Sequence, residues 1–253
     1  MSFFQWKNAV LQTVHKNILF KIALPSLLLT SALTANPVQA QTLCVFDLSG
    51  ASGDYFAFMK DYALAAQKWS VEISLRPYNK EESAINDYKQ GKCDAVSATS
   101  FTTREFNKFT GSINAVGAIP NNTVAKNLLL VLGSPKLAPE MVENGHEVLG
   151  ALPIGSAYLT MKDRTINSMT EIEGKRVAVL ASDPVQQRMI KRIGGTPVLM
   201  EVDTAGLRVQ DRNVDIVPLP SYSFDAFEVY RALGNKGGIS RFPVSFMTMN
   251  LIA

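Results

Sequence analysis

The chain has 253 residues, 47% of them hydrophobic and 19% charged, with a formal charge of +3, the composition of a folded protein with a core rather than of a disordered chain. Its two cysteines and two histidines are too few for a common His/Cys zinc site. It contains no G-x-S-x-G, S-x-x-K, G-x-G-x-x-G or phosphate-loop pattern, so no metal, cofactor or catalytic residue is expected; carboxylates for a hydrolase are present, but nothing in their spacing argues for one.

The opening 40 residues carry Lys7, Lys16 and Lys21 and no acid, then the apolar run Ile22 to Ala35, then Val38-Gln39-Ala40. Basic n-region, apolar h-region and an A-x-A-like site predict a secretory signal peptide, residues 1–40, cleaved after Ala40. The apolar run is short for a membrane span and contains Pro25. Cleavage leaves 22 basic against 22 acidic residues. A neutral mature chain lacks the basic footprint that a nucleic-acid partner needs, and a periplasmic location is expected.

Thr42 to Phe46 predicts a buried strand ending in the turn Asp47-Leu48-Ser49-Gly50. Asp54 to Trp69 spreads its apolar residues around a helix, Val71 to Leu75 alternates as a strand, and Glu81 to Lys89 reads as a short charged helix. Cys93-Asp94-Ala95-Val96 is a third strand opening into Ser97 to Ser100, which completes β-α-β-α-β. Cys44 and Cys93 form an even pair in an oxidising compartment, where a disulfide is the expected state. Two buried thiols, or a reactive one, are the alternatives; the mature chain offers only His146 as a thiol's base.

Phe101 to Pro120 is polar and glycine-bearing and is placed across a cleft mouth. Asn127 to Leu132 reads as a strand, and Ser134 to Gly150 as a loop-like connector. From Gly174 the first pattern returns: strand 175–180, a helix opened by Pro184 and stopped by Gly194-Gly195, strand 197–202, and strand Val214-Asp215-Ile216-Val217 opening into Pro218 to Ser221. GKCDAVSA at 91–98 and RNVDIVPL at 212–219 are echoes of one another, marking the third strand of two similar units. Ile239 to Ile252 is an apolar run of one or two strands ending at the last residues.

Two parallel-sheet units predict a ligand cleft beyond the carboxyl ends of the strands. The candidate ligand-binding residues there are Asp47, Ser49, Ser52, Ser97, Thr99, Arg104, Ser182, Asp183 and Tyr222, with Tyr158 as a further aromatic wall and Phe224 near it. Ser, Asp and Pro are also ordinary turn and cap residues. Arg104, beside Thr99, Thr102 and Thr103, could take an anionic group by bidentate bonds or be structural.

The stretches INSMTEIEGKRVAVL, IGGTPVLMEV and NVDIVPLP resemble the second domain of periplasmic solute-binding proteins of TRAP-type transporters. CVFDLSGASGDY, GKCDAVSATSFTTREFNKFTGSINAVGA and GISRFP are similar to the AdeT group of solute-binding proteins. The resemblance implies an α/β, two-lobe periplasmic binding-protein-like fold with lobe 1 at 41–150 plus 222–253 and lobe 2 at 151–221. It implies a monomer that closes on a small-molecule ligand, performs no chemistry, and serves a membrane permease. The alternative is a cell-envelope accessory of an efflux complex with no ligand of its own. Two departures stand out. Ala178 occupies the place of a carboxylate-clamping arginine, so carboxylate specificity is not implied. The family's C-terminal helices are also missing, which points to a shortened member with apolar residues at a bare end.

Overall fold

The computed structural model describes residues 40–225 and 227–253; the expected signal peptide lies outside them, save for Ala40 at its edge. The first unit is β1 (Gln41–Phe46), α1 (Asp54–Ala66), β2 (Ile73–Tyr78), α2 (Glu81–Lys89) and β3 (Ala95–Thr99). β1 pairs in parallel with β2 on one edge and β3 on the other. Alternation along β1 sends Leu43 and Val45 to one face, with Phe56 and Met59 of α1. Cys44 and Phe46 go to the other face, with Ala84, Ile85 and Tyr88 of α2. β2 begins two residues later than the alternation at 71–75 suggests.

The segment 100–145 contains α3 (Ser100–Thr103), α4 (Lys108–Gly111), α5 (Asn122–Leu132) and β4 (Val142–Glu143). Two expectations fail here. Asn127–Leu132 is the second half of a helix, not a strand. Asn121 caps that helix by accepting the Val124 N–H at 3.0 Å, and Ala125, Leu128, Leu129 and Leu132 pack at helical spacing beside Ile113 and Phe246. An apolar run alone does not distinguish the two states, and here the cap decides. Ser134–Gly150 is not a loop either: it holds a 3-10 turn at Pro135–Met141, β4, and the start of the 16-residue β5 (His146–Met161).

The second unit repeats the first: β6 (Arg176–Leu180), α6 (Pro184–Arg192), β7 (Thr196–Met200), α7 (Ala205–Gln210) and β8 (Ile216–Pro220). β6 pairs in parallel with β7 and β8, the same order as in the first unit. The chain then forms α8 (Val229–Leu233), β9 (Gly238–Ile239) and β10 (Ser245–Ile252). The sheet runs β2-β1-β3-β10-β5-β8-β6-β7, with β4 and β9 attached to β5. β10 thus lies inside the sheet, antiparallel to β3 and β5. The apolar last residues that looked bare in the sequence are covered: Met247, Met249 and Ile252 are all buried.

The echoed phrase has a structural cause. Asp94 donates its N–H to Thr42 O at 2.8 Å, and its carboxylate accepts the Thr42 N–H at 2.7 Å. Asp215 does the same with Arg176, at 2.9 Å through the backbone and 2.8 Å through the carboxylate. In both units an aspartate side chain supplies the acceptor for the opening rung of the central strand, where the third strand has no carbonyl in place. These two aspartates are therefore unit-building residues at the end of the strands away from the cleft.

Cys44 and Cys93 are joined in a disulfide with Cα atoms 5.8 Å apart, tying β1 to the entry of β3.

Candidate functional site

The carboxyl ends of β1, β3, β6 and β8 carry most of the predicted residues, and the structure sorts them into three groups. Asp47, Ser49 and Tyr222 line one cavity of about 480 Å³, together with Tyr55, Ile154 and Met249. Asp47 also builds its own wall: its carboxylate accepts the Ser49 N–H at 2.8 Å and the Phe56 N–H at 3.0 Å, so it caps α1 from outside the helix. Ser97 is fully buried and reaches the cavity through Tyr55, their oxygens 2.5 Å apart. Burial pushes the Tyr55 hydroxyl up to about 12, against the opposing hydrogen bond to Ser97.

The cap depends on Gly53. A Cβ there would lie 1.9 Å from Asp47 Oδ1, while the Gly53 backbone is extended at φ −77°, so the constraint is one of space alone. Gly53→Ala is expected to displace the Asp47 carboxylate and destabilise the fold by about 1–3 kcal/mol, read as a lower urea midpoint.

The second group joins the two units. Arg104 Nη2 lies 3.0 Å from Asp183 Oδ2, and the Asp183 side chain is 5% exposed. Arg104 follows α3 at the end of β3; Asp183 caps α6 by accepting the N–H groups of Val185 at 2.9 Å and Gln186 at 3.1 Å. The anionic partner expected for Arg104 is thus a carboxylate of the protein itself. Gly111 permits this seat, since a Cβ at 111 would fall 2.3 Å from Arg104 Cβ.

The third group is not assembled with the others. Thr99 is buried, its N–H given to Glu81 Oε1 at 2.6 Å and its Oγ1 beside Thr102 Oγ1 at 3.2 Å. Ser52 and Ser182 are exposed on turns and line neither of the cavities described here. Tyr158, paired with Leu219 in the β5–β8 ladder, lies on the opposite face from Ala157 and Leu159. The segment expected across the cleft mouth folds as α3, α4 and a 3-10 turn whose Ile113 packs with α5, and its Phe101, Asn114 and Val116 line a further cavity.

Glu81 escaped the sequence reading. At the first turn of α2 it resembles an ordinary N-terminal acid, yet it is 5% exposed. Burial raises its pKa to about 7 despite the opposing bonds from Thr99 and Thr102, with Asp203 adding repulsion. Tyr222 leaves 44% of its surface to solvent, but its hydroxyl end is enclosed; that burial, then the charges of Glu81 and Asp47, raise its pKa. Glu81, Asp47 and Tyr222 therefore share one electrostatic environment. Among the described residues no cluster of three or more His, Cys, Asp or Glu side chains could hold a metal.

The sequence profile of the solute-binding protein AdeT 1/2 family matches residues 63–253. The chain belongs to that family. It is 41% identical to the probable solute-binding protein AdeT1 of Acinetobacter baumannii over 208 residues, which are 82% of this chain and 68% of that relative. Among solved structures, it is similar to a TRAP periplasmic solute-binding protein of Anaerococcus prevotii with bound α/β-D-glucuronate, at TM-score 0.66 and 14% identity, covering 84% of this chain and 70% of that one. A TRAP periplasmic solute-binding protein of Desulfovibrio salexigens with bound orotic acid gives TM-score 0.64 and 12% identity, covering 84% and 68%. At such identities the likeness shows the fold: this AdeT-family chain has the two-lobe α/β fold of those proteins, and its two units correspond to the repeated β-α-β-α-β pattern.

Proposed function

We propose that the protein captures a small solute in the cleft between its lobes and delivers it to a membrane permease, without chemistry of its own. The lobes in this reading are 41–150 with 222–253, and 151–221, with α8 of the returning segment resting on the second unit's core through Val229. Residues 1–40 act as a signal peptide and place the protein in the periplasm. The observation that carries the reading is the meeting of strand ends from both units. Asp47 and Ser49 after β1 line a single cavity with Leu152 and Ile154 of the second lobe and Tyr222 from the turn after β8, while Arg104 and Asp183 join the lobes. Hinge closure would exclude water from that cavity. Membership of a solute-binding family, and neighbours that hold orotic acid or glucuronate, support a ligand of that size.

Thermal unfolding of residues 41–253 against a library of small metabolites tests this. The expected result is a cooperative transition whose midpoint rises with one ligand class, since a ligand selective for the native state raises it. A cooperative transition that no solute shifts, with no binding by calorimetry, would sink the proposal.

A further inference from the structure

A second cavity, of about 210 Å³, adjoins the first at Leu48 and Tyr222 and has a different chemistry. It lies where the sheet parts. β8 pairs with β5 over five residues, Ile216 to Pro220, but with β6 only at Val177 and Ile216. The reason is in the sequence: Pro218 and Pro220 have no N–H. Successive residues of a strand aim their backbone groups at opposite edges, and Val217 faces β5, where its carbonyl accepts the Thr160 hydroxyl at 2.7 Å. Pro218 and Pro220 therefore strip donors from the edge that faces β6. Both faces of β6, at Val177, Ala178, Val179 and Leu180, contribute to the cavity wall together with Pro218 and Pro220.

No Asp, Glu, Lys, Arg or His stands among the lining residues. Four polar side chains do: Asn114, Gln186, Tyr222 and Ser245. Gln186 Oε1 accepts the Leu180 N–H at 3.2 Å, and the Ser245 hydroxyl donates to Asn114 O at 2.8 Å. Asn114 is 5% exposed and lines the cavity. Its Nδ2 donates to Phe246 O at 2.6 Å, which fixes the amide, and its Oδ1 is a buried acceptor with no hydrogen-bond partner among the described residues. A buried acceptor left unpaired is costly and calls for a donor.

We infer that this cavity binds a compact, uncharged, largely apolar molecule carrying a single hydrogen-bond donor, which Asn114 Oδ1 accepts. A carboxylate would lose its hydration there with no counter-charge. An engineered apolar cavity of about 150 Å³ takes benzene, so the volume here suits a two-ring molecule. The inference deepens the solute reading above and rests on it, since this cavity too is lined from both lobes, by Leu48, Phe101 and Asn114 of one and Ala178, Val179 and Pro218 of the other.

Three probes on one ring system test it with the secreted chain: 2-naphthalenemethanol, naphthalene and 2-naphthoate, measured by calorimetry or displacement of the naphthalene signal. Naphthalenemethanol is expected to bind saturably, naphthalene about fivefold more weakly for want of the donor, and naphthoate at least about tenfold more weakly. Asn114→Leu should bring naphthalenemethanol and naphthalene to the same affinity, while Ser49→Ala, altered only in the first cavity, should change neither. Naphthoate binding as well as the alcohol, or no saturable binding by any probe, would overturn the inference. So would binding removed by Ser49→Ala, which would place the ligand in the other cavity. Should Asn114→Leu fail to fold, the probe series on the unaltered protein decides through its charge discrimination.

Discussion

Replacing both half-cystines, as Cys44→Ala with Cys93→Ala, is expected to lower stability by about 4 kcal/mol in the chain-entropy account of a crosslink that closes a loop of this size. The bridge spans 49 positions and encloses α1, β2 and α2, so the open chain gains the freedom of nearly the whole first unit. Both residues are also buried in one core cluster with Phe46, Ile85 and Val96. Alanine leaves apolar side chains there, and the double variant should still fold under mild conditions, with its urea midpoint well below that of the parent. Reduction of the parent should move the midpoint toward that of the variant. Equal midpoints for oxidised and reduced protein would show that the bridge contributes nothing. The loss should be concentrated in the first unit, because the second holds its matching ladder with no crosslink: Arg176 and Asp215 make a two-point contact at 2.8 and 3.0 Å instead.

The two units were legible in the sequence because local signals there agree with the long-range structure. Compact apolar strands end at Asp-Leu-Ser-Gly or Ser-Asp-Pro turns, and Pro184 opens α6 where its missing N–H is not needed. The repeated aspartate was visible as a phrase, but its purpose was not. Its bond runs to Thr42 or Arg176, 52 and 39 positions away, and no spacing rule reveals that. Between the units, local signals mislead. α5 carries a run of leucines and valine that fits a strand as well as a helix. β5 is interrupted to the eye by Gly150, Pro153 and Gly155, yet continues for 16 residues. It is held on one side by β10 and on the other by β8, with a register shift opposite Met247 and Thr248 and Gly155 at φ +106°, where a glycine is favoured.

The same division applies to the site. Asp47, Ser49 and Tyr222, which line one cavity, were legible as candidates because they stand at strand ends of parallel sheets. Glu81 and Asn114 were not: each is an unremarkable residue in its own segment, and each matters through partners 18 and 132 positions away. Burial converts a common side chain into a chemically distinct one only after the fold has closed around it.

Glu81→Gln is expected to change the pH dependence of stability strongly. The Glu81 carboxyl titrates near 7 in the folded protein against an ordinary 4.5, so the native state holds a proton that the unfolded chain releases. Protonation then favours folding fully below about pH 4.5, and that contribution is lost as pH rises through 7. The difference corresponds to about 3 kcal/mol between the two limits. Glutamine keeps an oxygen to accept the Thr99 N–H at the same place and carries no charge to bury. The variant should therefore match the parent near pH 4.5 and exceed it above pH 7, where Glu81 sits ionised in a buried site beside Asp203. Urea unfolding of both proteins at pH 4.5, 6 and 8 checks this, with the gap growing across the series. A constant gap would mean that Glu81 titrates normally and that its carboxylate is solvated. Because Glu81 also raises the pKa of Tyr222 in the candidate solute cavity, the substitution should bring the phenol's spectroscopic titration down as well, a change that stability alone would not produce.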